Sequence, residues 1–266
     1  MGKTLLTKER AFGNLTSIVQ WRASKWSGNG ITMAQIIFIS EKNRERYLKI
    51  IRPLGNLFAR TGVHPNILSV SGLILSAVAG LIYSHGLFFW AAWAVVLAGI
   101  CDSLDGQIAR QTNQRSAFGA FFDSTLDRYS DMFFLIGLAY YFAGGQDFLG
   151  LHLGKTSVES SPWTVMAISL AMGGSFMVSY TRARAEGLGM ECKRGLMQRP
   201  ERILLIIIGS LLEWIPVVGP TMMKLTLLVL AVSANVTTIH RIIFIRNHLL
   251  ATSRQSERSD SLPPLR

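Results

Sequence analysis

The chain has 266 residues, 49% of them hydrophobic and 16% charged, and a formal net charge of +11. Its apolar residues gather in runs of about twenty, the length at which a helix crosses roughly 30 Å of hydrocarbon, which excludes a soluble globule and indicates an all-α integral membrane protein. The basic residues flank those runs without interleaved aromatics, which excludes nucleic acid as a partner and points to anionic membrane lipids and phosphate-bearing ligands.

Residues 1–42 read as an N-terminal extension. The opening "MGKTLLTKERAFG" lacks the apolar core and cleavage site of a signal peptide, and Leu6 stands where a myristoylation signal needs Ser or Thr, so the segment is expected to be retained. The run "ITMAQIIFIS" is too short to span and is expected at the interface or packed on another element. Residues 43–60 place Tyr47, Ile51, Leu54 and Phe58 at helical spacing beside Arg44, Arg46, Lys49, Arg52 and Arg60, the pattern of an N-terminal amphipathic interfacial helix.

Six transmembrane helices follow, at about 66–83, 87–108, 117–143, 163–180, 203–215 and 222–245, the fifth being the shortest. Residues 43–245 thus form one membrane domain, and 246–266 a polar cytoplasmic tail whose end, "SRQSERSDSLPPLR", is not expected to fold alone. Lys and Arg concentrate before the first span, in "QTNQR", between 182 and 202 and in the tail, so both termini and these loops are expected on the cytoplasmic side. Cys101 and Cys192 match neither a disulfide framework nor zinc spacing.

Five aspartates fall between Cys101 and Asp131, flanked on both sides by apolar sequence. Asp102 and Asp105 share one face of the second span, and Gly119, Asp123, Asp127 and Asp131 recur every fourth residue on the third. An aspartate at mid-helix in a bilayer costs about 2.5 to 3.5 kcal/mol, and facing carboxylates repel one another. Divalent cations relieve both effects, and oxygen-only ligation favours Mg²⁺ or Mn²⁺. Two other readings stay open on spacing alone: an ion-pair network with Arg110, Arg115 and Arg128, or a proton or ion path through a transporter.

Asp102, Asp105, Gly106, Ala109, Arg110, Gly119, Asp123 and Asp127 together spell DxxDGxxARx8Gx3Dx3D. The chain thereby resembles the CDP-alcohol phosphatidyltransferase family, a resemblance that extends over residues 43–245. It implies a site for a pair of metal ions, in which Asp102, Asp105 and Asp123 are ligands and Asp127 is both a neighbour of the metals and the catalytic base. It also implies that Gly106, Ala109 and Gly119 leave room for the nucleotide, that Arg110 lies along the diphosphate, and that Pro65 and Asn66 contact the nucleotide.

Arg182, Arg184, Lys193, Arg194, Arg199 and Arg202 crowd one cytoplasmic segment, where topology alone would enrich basic residues. "RARAEGLG" followed by "RPER" is similar to the bacterial phosphatidylinositol phosphate synthases, which implies that Arg184, Arg199 and Arg202 bind the phosphate of the acceptor. The expected activity is transfer of the phosphatidyl group of CDP-diacylglycerol to inositol phosphate with release of CMP, in phospholipid biosynthesis. Glycerol 3-phosphate is the alternative acceptor. The active site is expected to face the cytoplasm, from the inner membrane if the source is bacterial, in a protein that the resemblance suggests is a homodimer. The segment "ECKRGLMQ" is more basic than its counterpart in those synthases, and Asp131 lies outside the fixed pattern.

Overall fold

The structure is a computed structural model that describes residues 41–60, 62–145, 160–190, 197–213, 215 and 219–260. Seven helices occur among them and no strand: α1 (Glu41–Arg60), α2 (Pro65–Ser84), α3 (Phe88–Gln111), α4 (Ala117–Phe142), α5 (Pro162–Glu186), α6 (Arg199–Leu212) and α7 (Gly219–Asp260). The expected extension up to residue 40, the run "ITMAQIIFIS", Lys193 and Arg194 lie outside the described residues.

Local chemistry sets the helix starts. Pro65 opens α2, where its missing N–H is no loss, and the preceding His64 accepts the Asn66 N–H on Nδ1 at 3.2 Å. Ser116 caps α4, its hydroxyl accepting the Gly119 N–H at 2.9 Å. Between α3 and α4 the chain reverses within a few residues because Asn113 takes a positive φ of 57°, a conformation asparagine tolerates better than most residues.

Among the described residues, four segments are long and apolar enough to cross a membrane: Pro65–Ser84, Phe88–Gln111, Pro162–Glu186 and Thr221–Thr252. The other two expected spans are helices of a different kind. α4 has 26 residues but carries Asp123, Asp127, Arg128 and Asp131 between its seventh and fifteenth positions. α6 has only 14 residues, about 21 Å of helix, and begins at Arg199 rather than residue 203. Both are sheltered by protein, α4 packing on α2 and α5, and α6 on α3 and α7.

The last helix continues beyond the expected span. α7 runs unbroken for 42 residues to Asp260, so the polar stretch after 245 is helical for most of its length. Extending an existing helix adds one hydrogen bond per residue without a new nucleus, and no proline interrupts it before Pro263.

Apolar side chains cover the outside of the bundle as well as its core, and several polar ones are buried. Ile67, Ile74, Leu97, Leu170, Val232 and Ile239 face outward, while Ser76, Ser175, Thr237 and Arg241 are buried beside Tyr83, Leu138, Ile168 and Leu227. A smaller separate cluster joins Ile51 of α1 to Leu68, Leu104 and Ile108.

Backbone contact sets the α2–α4 crossing. A Cβ added at Gly80 would strike the Phe133 carbonyl, and one at Gly137 would strike the Gly80 carbonyl. Neither obstacle is a side chain that can swing aside, so Gly137→Ala is expected to cost about 3 kcal/mol, the upper end of overpacking effects. Thermal unfolding in detergent checks this, with Gly173→Ala as the control, since a Cβ there meets nothing within 4 Å.

Candidate active site

The turn at Asn113 reverses the chain between α3 and α4, and carboxylates from the two helices meet although the helices do not pack closely on each other. Asp102, Asp123 and Asp127 each present a carboxylate oxygen within 4.8 Å of the others. Asp105 does not join them. It is buried, and its Oδ2 accepts a hydrogen bond from the Ser69 hydroxyl on α2.

A third element closes on these acids. The first residue of α6, Arg199, donates from Nη1 to Asp102 Oδ2 at 2.9 Å and pairs with Asp127 Oδ1 at 2.7 Å, and its Nε lies 3.6 Å from Asp131 Oδ1. One turn on, Arg202 is buried, with Nη2 3.2 Å from Asp131 Oδ2 and Nη1 donating to the Ser175 carbonyl of α5 at 3.0 Å. The four-residue recurrence ending in Asp131 therefore has a physical reason: Asp131 is the carboxylate that Arg199 and Arg202 share.

The open question of an ion-pair network is answered in part. A network exists among the described residues, and its direct pairs are made by Arg199 and Arg202 of α6 rather than by Arg110, Arg115 or Arg128, while the charge of Arg128 also acts on Asp123. Two guanidiniums face the four carboxylates of Asp102, Asp123, Asp127 and Asp131, which leaves an excess of negative charge. That excess, concentrated on three hard oxygen donors close enough to share an ion, fits a divalent cation such as Mg²⁺ or Mn²⁺.

The acids line a narrow crevice between α2, α3, α4 and α6. Gly72, Ser76, Ala98 and Gly99 line it with little side-chain bulk, Leu73, Val95 and Phe134 add apolar surface, and Ser69 and Arg199 stand with the aspartates. A lining that is part charged and part apolar suits the junction between a ligand's charged head and its hydrocarbon tail.

The remaining expected residues lie around this crevice or away from it. Pro65 is buried and Asn66 half-buried at the start of α2, one turn before Ser69. Arg110 folds over Gly106, where an added Cβ would sit 3.4 Å from its Nη1. Ala109 is half-buried, Gly119 serves the α4 cap, and Arg184 is exposed in the last turn of α5. Reading the residues in sequence overlooked Ser69. Its signal was a hydroxyl four residues after Pro65 in an otherwise apolar run.

Residues 62–239 match the family described as CDP-alcohol phosphatidyltransferase. The archaetidylinositol phosphate synthase of Methanothermobacter thermautotrophicus is 34% identical over 212 residues, covering 79% of this chain and 98% of that protein. The phosphatidylinositol phosphate synthase of Mycolicibacterium smegmatis is 31% identical over 205 residues, covering 76% and 86%. Among solved structures, the Mycobacterium tuberculosis phosphatidylinositol phosphate synthase with CDP-DAG bound superposes with a TM-score of 0.63 at 27% identity, covering 74% of this chain and 94% of that one. The same enzyme in complex with manganese and citrate gives a TM-score of 0.63 at 27% identity, covering 73% and 88%.

Proposed function

The chain belongs to the CDP-alcohol phosphatidyltransferase family, and on that premise we propose that it transfers the phosphatidyl group of CDP-diacylglycerol to a hydroxyl of inositol phosphate and releases CMP. The observation that carries this reading is the meeting of Asp102, Asp123 and Asp127 under Arg199 in a crevice lined by both charged and apolar residues. The names of the relatives, both ending in inositol phosphate synthase, support that acceptor over glycerol 3-phosphate.

In the proposed reaction the diphosphate reaches the aspartates and the acyl chains run outward from it over the apolar outer faces of the helices. Asp127 takes the proton of the acceptor hydroxyl, and the freed oxygen attacks the phosphorus that bears diacylglycerol. The bond from that phosphorus to the CMP oxygen breaks, and CMP leaves with the electron pair. Asp102, Asp123 and Asp127, with Asp105 from the adjoining turn, would hold a pair of divalent cations, which when bound neutralise the diphosphate and stabilise the leaving group. Arg199 and Arg202, with Arg184 nearer the surface, supply positive charge for the acceptor phosphate. Pro65, Asn66, Gly106, Ala109, Arg110 and Gly119 surround the nucleotide.

The proposal includes six spans with both termini cytoplasmic, α1 on the membrane surface, residues 43–245 as the membrane domain, and a homodimer. What supports the orientation is the basic loops together with Trp90, Trp93 and Trp163, which are exposed at the ends of α3 and α5 remote from Arg110 and Arg184 and suit the opposite interface.

Purified protein given CDP-diacylglycerol and a panel of inositol phosphate, glycerol 3-phosphate, inositol and glycerol is expected to release CMP only with inositol phosphate. Release should stop on chelation and return with Mg²⁺ or Mn²⁺. Turnover with glycerol 3-phosphate alone would replace the acceptor, and ion flux across liposomes without CMP would replace the transferase reading by a transporter.

A further inference from the structure

α3, the helix that carries Asp102, Asp105 and Gly106, is gripped on two faces. On one, Gly72 of α2 packs against the Ala98 carbonyl and Cys101, and Ser69 holds Asp105. On the other, α1 lies across the same segment of α3, with Ile51 packed among Leu104 and Ile108.

The centre of this second face is polar. Gln107 is buried, and its carboxamide fills the notch that Gly55 leaves in α1, where an added Cβ would fall 2.5 Å from the amide carbon and nitrogen. Its Nε2 donates to the Arg52 carbonyl at 3.3 Å, while its Oε1 is buried without a partner. One turn on, Gln111 Nε2 donates to Asn56 Oδ1 at 2.9 Å. An apolar side chain would fill the same notch without leaving an acceptor unpaired, so the amide marks the donor bond to α1 as the feature that matters.

We propose that Gln107, seated in the Gly55 notch, is a positioning residue for the transfer reaction: it sets the register of α1 on α3 and thereby holds the acidic end of α3 in place against α4. Gln107 is two residues beyond Asp105, about 200° around the helix, so it touches α1 while the acid faces α2. It meets no substrate. Its effect passes through the backbone of α3, where a displacement near 1 Å at Asp102 is enough to lower turnover strongly.

The inference rests on the transferase reading, and its test separates the two. Wild type, Gly55→Ala, Gln107→Ala, Gln107→Met and the double variant Gly55→Ala/Gln107→Ala are compared by CMP release and by Mn²⁺ titration followed by electron paramagnetic resonance. Gly55→Ala displaces the movable end of Gln107 rather than backbone, so it is expected to lower kcat by a few fold with both KM values little changed, and to weaken Mn²⁺ binding. The double variant should return to the level of Gln107→Ala, because removing the carboxamide makes room for the new methyl. Gln107→Met keeps the volume and loses the donor, so a fall of a few fold is expected.

Additive effects of Gly55→Ala and Gln107→Ala, or wild-type kcat and Mn²⁺ affinity in Gln107→Ala, would overturn the proposal. Should Gly55→Ala not fold, the two Gln107 variants decide it alone. If wild type releases no CMP, the transferase reading fails, and the Mn²⁺ titrations still decide whether Gln107 positions the acids.

Discussion

Asp127→Ala is expected to lower CMP release by roughly 10²- to 10⁴-fold at saturating CDP-diacylglycerol and inositol phosphate, the range typical of losing a general base. The fold should survive. Arg199, which pairs with Asp127 at 2.7 Å, keeps Asp102 at 2.9 Å and Asp131 nearby, so no buried guanidinium is left alone. Asp127→Asn should be as inactive as the alanine variant, because an amide keeps the hydrogen-bonding shape but takes no proton. Mn²⁺ binding should weaken in both, since Asp127 is one of the three carboxylates that meet. An Asp127→Ala enzyme with ordinary turnover would remove the base assignment and leave the acids as ligands only.

Arg199→Ala is expected to act on stability as well as turnover. Its guanidinium is the charge that Asp102, Asp127 and Asp131 share, and the side chain is only 20% exposed. Removing one partner of a largely buried pair leaves the others uncompensated, so a loss of about 3 kcal/mol is expected in the absence of divalent metal. Mn²⁺ should restore part of it, because a cation can take over the neutralisation. The rise in melting temperature on adding Mn²⁺ should therefore be larger in Arg199→Ala than in wild type, and an equal rise would mean that Arg199 and the metal do not address the same carboxylates. Arg199→Lys should recover stability better than activity, since an ammonium keeps the charge but cannot spread its donors across the carboxylates as a planar guanidinium does.

The acid cluster was legible in the sequence because helical spacing is a geometric rule. Residues three and four apart share a face, so the places of Asp102, Asp105, Asp123 and Asp127 could be written down before any coordinates. Which of these acids meet was not legible. Asp105 shares a face with Asp102 and yet turns to Ser69, because the crossing of α2 and α3 puts a hydroxyl there. Asp131 read as a surplus carboxylate, since its partners lie some seventy residues further along on another helix.

By itself the sequence determined the membrane class, the ends of most helices, the acidic faces and the family, since each depends on local composition or on a fixed spacing. Only the tertiary structure decided that Arg199 and Arg202 close over the acids, that α4 and α6 lie within a bundle of four more apolar helices, and that α1 braces the back of α3. The reason is physical. Charge compensation and burial are settled between elements, by contacts such as Arg199 to Asp102 that join residues 97 positions apart, and no local pattern in the chain encodes which partner arrives.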